Sequence, residues 1–192
     1  METAKLFDDK SDLYVSYRPQ YPDNLFEYIS SLTDQHDAAW DCATGNGQAA
    51  IGLAEHFNHI EATDISENQI LNSFFKKNIQ YSIQPAETTE FKSNKFDLVN
   101  IAQALHWVDF TKFWQEVKRV LKPNGVFVTF FYHNFKLDHN ISETVELHIR
   151  KKIKPYCTQN HNIFWNSYKE NMFRRNRPFS ASGNGSILLF FL

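Results

Sequence analysis

The chain has 192 residues, of which 42% are hydrophobic, and its formal net charge is −2. This length can bury the core of one domain, and the small net charge argues against recruitment of nucleic acid. The polar N-terminus is unlike a signal peptide, no apolar run reaches the about 18 residues of a membrane helix, and two cysteines supply neither a disulfide framework nor a metal motif. We expect a cytoplasmic protein without a nucleic-acid partner, a membrane segment or a metal.

The first predicted elements follow a polar N-terminal stretch. LFEYISSL has the apolar spacing of a helix. AAWD, residues 38–41, predicts a short buried strand that ends in Asp41, and QAAIGLAEHF predicts a helix after two glycines. HIEATD predicts a second strand that ends in Asp64, and SENQILNSFFKK predicts a helix with Ser66 as its N-cap.

The same alternation continues through the middle of the chain. IQYSIQPAE and KFDLVNIAQAL predict a third and a fourth strand, DFTKFWQEVKRVLK predicts an amphipathic helix ended by a turn at Asn124-Gly125, and GVFVTFFYH predicts a fifth strand. Beyond about residue 140 the pattern weakens. The terminal ILLFFL is either an edge strand or a foreign end, such as a truncation or an altered reading frame.

Strands that alternate with helices five times predict an α/β fold. We expect a doubly wound, mostly parallel, Rossmann-like sheet with helices on both faces. Its C-terminal strands are expected to be missing or altered, because ILLFFL is the only candidate found for the strands that usually close such a sheet.

The loop DCATGNG, residues 41–47, is the first candidate for a binding site. In a doubly wound sheet, ligands bind at the carboxyl ends of the strands, and glycine lets the backbone approach them closely. Asp64 ends the next strand, nineteen residues beyond Gly45. An acid at this distance accepts hydrogen bonds from ribose hydroxyls. The pattern therefore predicts a nucleoside derivative as the ligand.

Two nucleoside ligands remain open at this point. Residues 45–50 fit the dinucleotide pattern G-x-G-x-x-A, which is a weak signal by itself. S-adenosylmethionine is favoured because Asp41 suits an ammonium group and would repel a pyrophosphate. The long segment ahead of the first strand also leaves room for a lid helix, and the fourth strand leads into AQALHW and then into helix–KPNG–strand.

A set of motifs in order resembles a known family. DCATGNGQ, ATDIS, PAE, FDLVNIAQALHWVD and VKRVLKPNGVFVTF look like class I S-adenosylmethionine-dependent methyltransferases of the type 11 group, over roughly residues 5–135. FDDKSDLYVSYRPQYP resembles the start of trans-aconitate methyltransferase-like proteins. The resemblance implies a lid or helical segment over 1–36, a cofactor-binding Rossmann-like core over 37–140 and a divergent or truncated segment over 141–192.

The resemblance also implies which residues contact S-adenosylmethionine. The loop would cradle the methionine part, with Ala43 where many members have a further glycine. The end of the second strand would hold the ribose, and the residue after it would pack on the adenine face. Residues after the third strand would lie at the adenine edge, and a residue after the fourth strand would lie beside the sulfonium end. The implied residues are Asp41, Ala43, Gly45, Gly47, Asp64, Ile65, Ala86, Glu87 and Gln103.

Three residues are candidates for the chemistry on a small-molecule methyl acceptor. His106 would be a general base or would orient the acceptor, and the alternative is a structural histidine beside Trp107. Arg18 would pair with a carboxylate acceptor, and the alternative is a surface arginine. Tyr17 would line the pocket or fasten the lid.

Three functions therefore stay open. The chain is an active methyltransferase, with a carboxylate among the possible acceptors, or a truncated cofactor-binding form without acceptor chemistry. An NAD-dependent oxidoreductase is the least favoured reading, because the dinucleotide pattern is a weak signal by itself.

Overall fold

The computed structural model describes residues 20–132, 147, 151–152 and 185–191, the last range as backbone. In chain order these residues form α1 (Asp23–Ser30), β1 (Ala38–Cys42), α2 (Gln48–Leu53), β2 (His59–Asp64), α3 (Glu67–Leu71), β3 (Ile79–Ile83), β4 (Phe96–Ala102), a 3-10 helix (Leu105–Trp107), α4 (Phe110–Val120), β5 (Leu121–Tyr132) and β6 (Gly185–Phe191). No helix within this described part combines the length and the apolar character needed to cross a membrane.

The strands form one sheet in the order β3-β2-β1-β4-β5-β6. β1 to β5 pair in parallel, and β6 pairs antiparallel with β5. From β1 the chain continues to β2 and β3 on one side, and it then returns to β4 on the other side of β1. The gap between β1 and β4 is therefore the switch point at which such sheets bind ligands. The predicted doubly wound fold is confirmed, and the terminal apolar run forms the edge strand β6.

Helices cover both faces of the sheet and create two apolar layers. One layer packs α1 and α2 on the sheet, and the other packs α4 on the opposite face. Leu98 and Val99 of β4 enter opposite layers, and so do Ala39 and Trp40 of β1. Side chains alternate along a strand, so strands buried on both faces read as continuous apolar runs.

Two predicted helices are shorter than their sequence patterns indicate. α2 ends at Leu53 and α3 at Leu71, although the apolar patterns continue beyond both residues. After α3 the backbone N–H of Phe74 donates to the carbonyl of Asn46 at 3.1 Å. This bond ties the chain to the loop after β1, so the segment leaves the helical path.

The predicted turn at Asn124-Gly125 does not end α4, and that prediction was wrong. α4 ends at Val120, and β5 begins at the next residue. Asn124 and Gly125 lie inside β5, where the register against β4 shifts and Asn124 has a φ of 66°. The turn-forming pair therefore creates an irregularity in a strand.

Candidate functional site

A cleft lies over the carboxyl ends of the central strands, and residues 43–46 of the glycine loop form part of its lining. Ala43, Gly45 and Gly47 have φ values of 51°, 58° and 91°. Glycine adopts this left-handed region freely, whereas alanine is strained there. At Gly47 an added Cβ would also lie 2.2 Å from the hydroxyl oxygen of Tyr81. Any other residue at that position would be strained and would displace the Tyr81 side chain.

Asp64 holds the glycine loop and lines the cleft. Its two carboxylate oxygens accept hydrogen bonds from the backbone N–H groups of Gly45 and Ser66, each at 2.9 Å. The Ser66 hydroxyl accepts from the Gln69 N–H at 3.3 Å, which confirms the predicted N-cap of α3. A carboxylate oxygen accepts more than one hydrogen bond, so Asp64 can fix the loop and still bind hydroxyl groups in the cleft.

Asp41 is a completely buried acid at the end of β1 and also lines the cleft. Its carboxylate accepts hydrogen bonds from the Thr44 hydroxyl at 2.5 Å and from the side-chain amide of Asn100 at 2.6 Å. Asn100 is its register partner in β4. Burial raises the pKa of Asp41 to about 6, and these two hydrogen bonds oppose part of the rise. Within the described residues Asp41 forms no ion pair.

The opposite wall of the cleft comes from the segments after β3 and β4. Ala86 and Glu87 follow β3, and Gln103, with a φ of 58°, follows β4. Glu87 accepts a hydrogen bond at 2.7 Å from the backbone N–H of Asp109, the N-cap residue of α4. Glu87 therefore joins the two segments of this wall and is more than a solvated surface acid.

Three buried polar atoms of residues that line the cleft lack a hydrogen-bond partner within the described part of the chain. They are the side-chain nitrogens of Asn46 and Gln103 and the side-chain oxygen of Gln48. Buried polar groups are nearly always satisfied, by protein, water or ligand. The set contains both donors and an acceptor, which matches an amino acid end that carries an ammonium and a carboxylate group. S-adenosylmethionine has such an end, so these residues fit that cofactor.

The charge of the cleft also fits a cation. The described residues that line the cleft include three acids, Asp41, Asp64 and Glu87. This described lining contains no lysine and no arginine. A negative lining favours a positively charged ligand such as a sulfonium and opposes a pyrophosphate.

All residues predicted to contact the cofactor, except Gly47, line this cleft, and their roles stay predictions. The lining set is Asp41, Ala43, Gly45, Asp64, Ile65, Ala86, Glu87 and Gln103. Gly47 lies at the start of α2, against Tyr81.

The predicted catalytic residues are less completely placed. His106 is buried in the 3-10 helix, with its ring centroid 5.0 Å from that of Trp107. Trp107 lines the cleft, whereas His106 is not among the lining residues. Tyr17 and Arg18 lie outside the described residues. The catalytic roles of these three residues stay predictions.

Several lining residues were not foreseen from the sequence. Asn46 and Gln48 are the polar residues that follow the two glycines, and this position was a usable signal. Gln69 was recognised only as part of a helix cap, yet its side-chain oxygen lies 3.6 Å from a Cβ placed on Gly45. Tyr21 had no signal, because its place depends on an edge-to-face contact with Phe130 at 4.9 Å.

Comparisons with known proteins agree with the fold. A family model described as a methyltransferase domain matches residues 40–129. The chain is similar to a protein of Anaeromyxobacter dehalogenans described as a type II methyltransferase, with 30% identity, a TM-score of 0.73 and coverage of 86% of this chain and 70% of the other. A Methanococcus maripaludis protein described as S-adenosyl-L-methionine-dependent shares the fold at 19% identity and a TM-score of 0.62, over 98% of this chain and 91% of its own.

A protein of Dictyostelium discoideum, named as a methyltransferase, is 36% identical over 143 residues, which is 72% of this chain and 54% of that protein. The chain spans about half the length of the curated relatives that it matches.

The chain belongs to the class I methyltransferases. S-adenosylmethionine is the cofactor that the family and the fold imply, and this decides between the two nucleoside ligands left open by the sequence.

Proposed function

We propose that this chain is a methyltransferase that transfers the methyl group of S-adenosylmethionine to a small-molecule acceptor. The observation that carries the proposal is Asp41, a completely buried carboxylate in a cleft whose described lining has no basic residue. Such a site is suited to a ligand that brings its own positive charge. The partnerless atoms of Asn46, Gln48 and Gln103 support the same ligand.

The cofactor supplies a methyl group on a sulfonium, which is transferred by displacement in line with the acceptor. The chain contributes mainly by holding the reactants in that line and by excluding water. Asp64 holds the glycine loop and would accept hydrogen bonds from hydroxyls of the cofactor, and the Asp41 carboxylate would neutralise its ammonium group. Tyr21, Trp107 and Val108 line the cleft and exclude water from it.

The acceptor decides whether the chain needs a base. In this proposal a carboxylate acceptor pairs with Arg18, and no base is required because its lone pairs are already available. The resemblance of the N-terminal residues to trans-aconitate methyltransferase-like proteins supports this acceptor class. An acceptor that must lose a proton would instead depend on His106.

Calorimetric titration with S-adenosylmethionine tests the cofactor site. Asp64→Ala should weaken binding at least about tenfold, because a charged hydrogen-bond acceptor and the tie to Gly45 are lost together. Asp23→Ala removes an exposed acid of α1 and should leave binding unchanged. Binding by Asp64→Ala as firm as that of the parent would refute the proposed site.

A mass-spectrometric screen for methylated products, beginning with carboxylates, tests the acceptor. Loss of product in Arg18→Ala alone would support a carboxylate acceptor, and loss in His106→Ala alone would support base catalysis. If no acceptor of either kind is methylated while the cofactor binds, the acceptor part of the proposal is wrong and the chain only binds the cofactor.

A further inference from the structure

The first part of the loop between β3 and β4, residues 84–91, forms one wall of the cleft but is held from outside it by α4. Thr89 in this loop donates two hydrogen bonds to the same carboxylate oxygen of Glu116, from its backbone N–H at 2.9 Å and from its hydroxyl at 2.5 Å. Glu116 lies on α4 and is 7% exposed. Neither Thr89 nor Glu116 is among the residues that line the cleft.

Arg119, one turn further along α4, completes this contact. Its guanidinium donates to both carboxylate oxygens of Glu116, at 2.8 and 2.6 Å. It also donates to the backbone carbonyl of Phe91 at 2.6 Å and to that of Thr89 at 3.3 Å. We call Thr89, Glu116 and Arg119 the α4 clamp.

A second contact ties the same loop to the other end of α4. Glu87 accepts from the backbone N–H of Asp109 at 2.7 Å, and Asp109 is the N-cap residue of α4. One helix of 11 residues therefore holds the loop at two separate points. The loop cannot move relative to α4 without breaking one of these contacts.

Stability alone gives little reason for such a clamp. Glu116 is buried, but the side chain of its partner Arg119 is 36% exposed, so solvent weakens the attraction between the two charges. What the bidentate geometry does provide is a fixed position for the backbone that it contacts. That backbone leads directly to Ala86 and Glu87 in the cleft wall.

We propose that Glu116 and Arg119 are positioning residues for the adenosine end of the cofactor, acting through the loop 84–91 without touching the ligand. This inference rests on the proposed function, because the loop is assigned to the adenine edge there. The clamp then sets cofactor affinity, and its loss weakens every ligand that carries adenosine.

The experiment compares Glu116→Ala with Asp97→Ala. Asp97 is a matched control, because it is also a buried carboxylate and lies at the opposite edge of the sheet from the cleft. It accepts hydrogen bonds from two backbone N–H groups and pairs with one lysine. Titrations use S-adenosylmethionine and 5′-methylthioadenosine, which keeps the adenosine end and lacks the amino acid end. Glu116→Ala should weaken both ligands by the same factor, about tenfold, which corresponds to about 1.4 kcal/mol.

Asp97→Ala should lower the melting temperature as much or more and leave both affinities unchanged. Glu116→Gln keeps an acceptor for Thr89 and should recover part of the affinity. Unchanged affinities in Glu116→Ala, equal losses in the two alanine variants, or a loss confined to S-adenosylmethionine would each overturn the inference.

If Glu116→Ala does not fold, Glu116→Gln and Arg119→Lys are judged by the same criteria, with an expected loss of about threefold. A wild-type chain that binds neither ligand would overturn the proposed function and not the clamp, so the two failures are distinguishable.

Discussion

Buried acids at the two edges of the sheet are satisfied in different ways. Toward the amino ends of the strands, Asp97 pairs with Lys122 at 2.8 Å and Glu61 pairs with Lys95 at 2.6 Å. These acids are 5% and 6% exposed, and each has a cation in the chain. Their charge is neutralised within the protein, as expected of groups that serve the fold.

At the carboxyl ends, Asp41 is more deeply buried and is held by neutral donors. Thr44 and Asn100 donate to it, and no lysine or arginine in the described part of the chain pairs with it. A buried charge without a counter-ion destabilises the free protein. At one edge of the sheet, cations of the chain neutralise the buried acids. At the other edge the negative charge of Asp41 is left for a ligand.

The largest expected effect comes from removing the unpaired charge. Asp41→Asn should weaken S-adenosylmethionine binding about 100-fold, because a buried carboxylate that faces a cation is lost. The same substitution should raise the free energy of unfolding at pH 8 by about 2 kcal/mol, since a pKa raised from 3.8 to about 6 means that ionised Asp41 is destabilising. Calorimetry and urea denaturation measure the two quantities. A variant that is both less stable and binds normally would contradict the comparison.

The pH dependence of the parent is the control for this variant. Because the folded-state pKa of this acid is raised, the native chain keeps the proton up to about pH 6 while the unfolded chain releases it near 3.8. The contribution of Asp41 to stability is therefore greatest below 3.8, falls as the pH rises to about 6 and is constant above. Cofactor affinity should change in the opposite sense and fall below pH 6. In Asp41→Asn, both the change of stability between pH 3.8 and about 6 and the fall of cofactor affinity below pH 6 should be absent.

The next effect is expected at the paired edge. Lys95→Met keeps an apolar stem but leaves buried Glu61, among the described residues, with His59 alone, whose ring nitrogen is 3.1 Å away. The free energy of unfolding should fall by about 2 kcal/mol, measured by urea denaturation, while cofactor affinity stays the same. Lys76→Met, which removes the partner of an exposed acid, should change little. Loss of affinity in Lys95→Met would show that the two edges are not independent.

The smallest expected effect concerns the backbone of the cleft. Ala43 has a φ of 51°, so Ala43→Gly should relieve strain and raise the free energy of unfolding by about 0.5 kcal/mol, after allowance for the freer unfolded chain. Thermal unfolding measures this. Ala49→Gly, inside α2, should lower it by about 1 kcal/mol. Equal destabilisation by both changes would mean that the strain at Ala43 is absent.

Much of the fold was predictable, because its signals are local. The buried strands, the amphipathic helix α4 and the Ser66 cap follow from apolar spacing and side-chain hydrogen bonds within a few residues. The end of α3 was not predictable, because the bond between Phe74 and Asn46 joins segments far apart in sequence. Asn124-Gly125 misled because it lies between Leu121 and Val126, whose pairings with β4 bracket the register shift, so the turn-forming pair sits in an irregularity of β5.

The site divides along the same line. Asp41, Asp64 and the glycines were identified from the sequence, because strand ends and glycine-rich turns are local features that parallel strands bring to one edge. The resemblance placed Glu87 at the adenine edge, but its bond to Asp109, which spans 22 residues of chain, was not foreseen.

The sequence by itself determined which acids stand at strand ends and where the backbone needs glycine. Only the tertiary structure decided which acid has a counter-ion and which does not. Asp41 meets Asn100 across 59 residues, and Asp97 meets Lys122 at the opposite edge. Strand order and register make these contacts, and both arise from the packing of the whole sheet and not from any short stretch of chain.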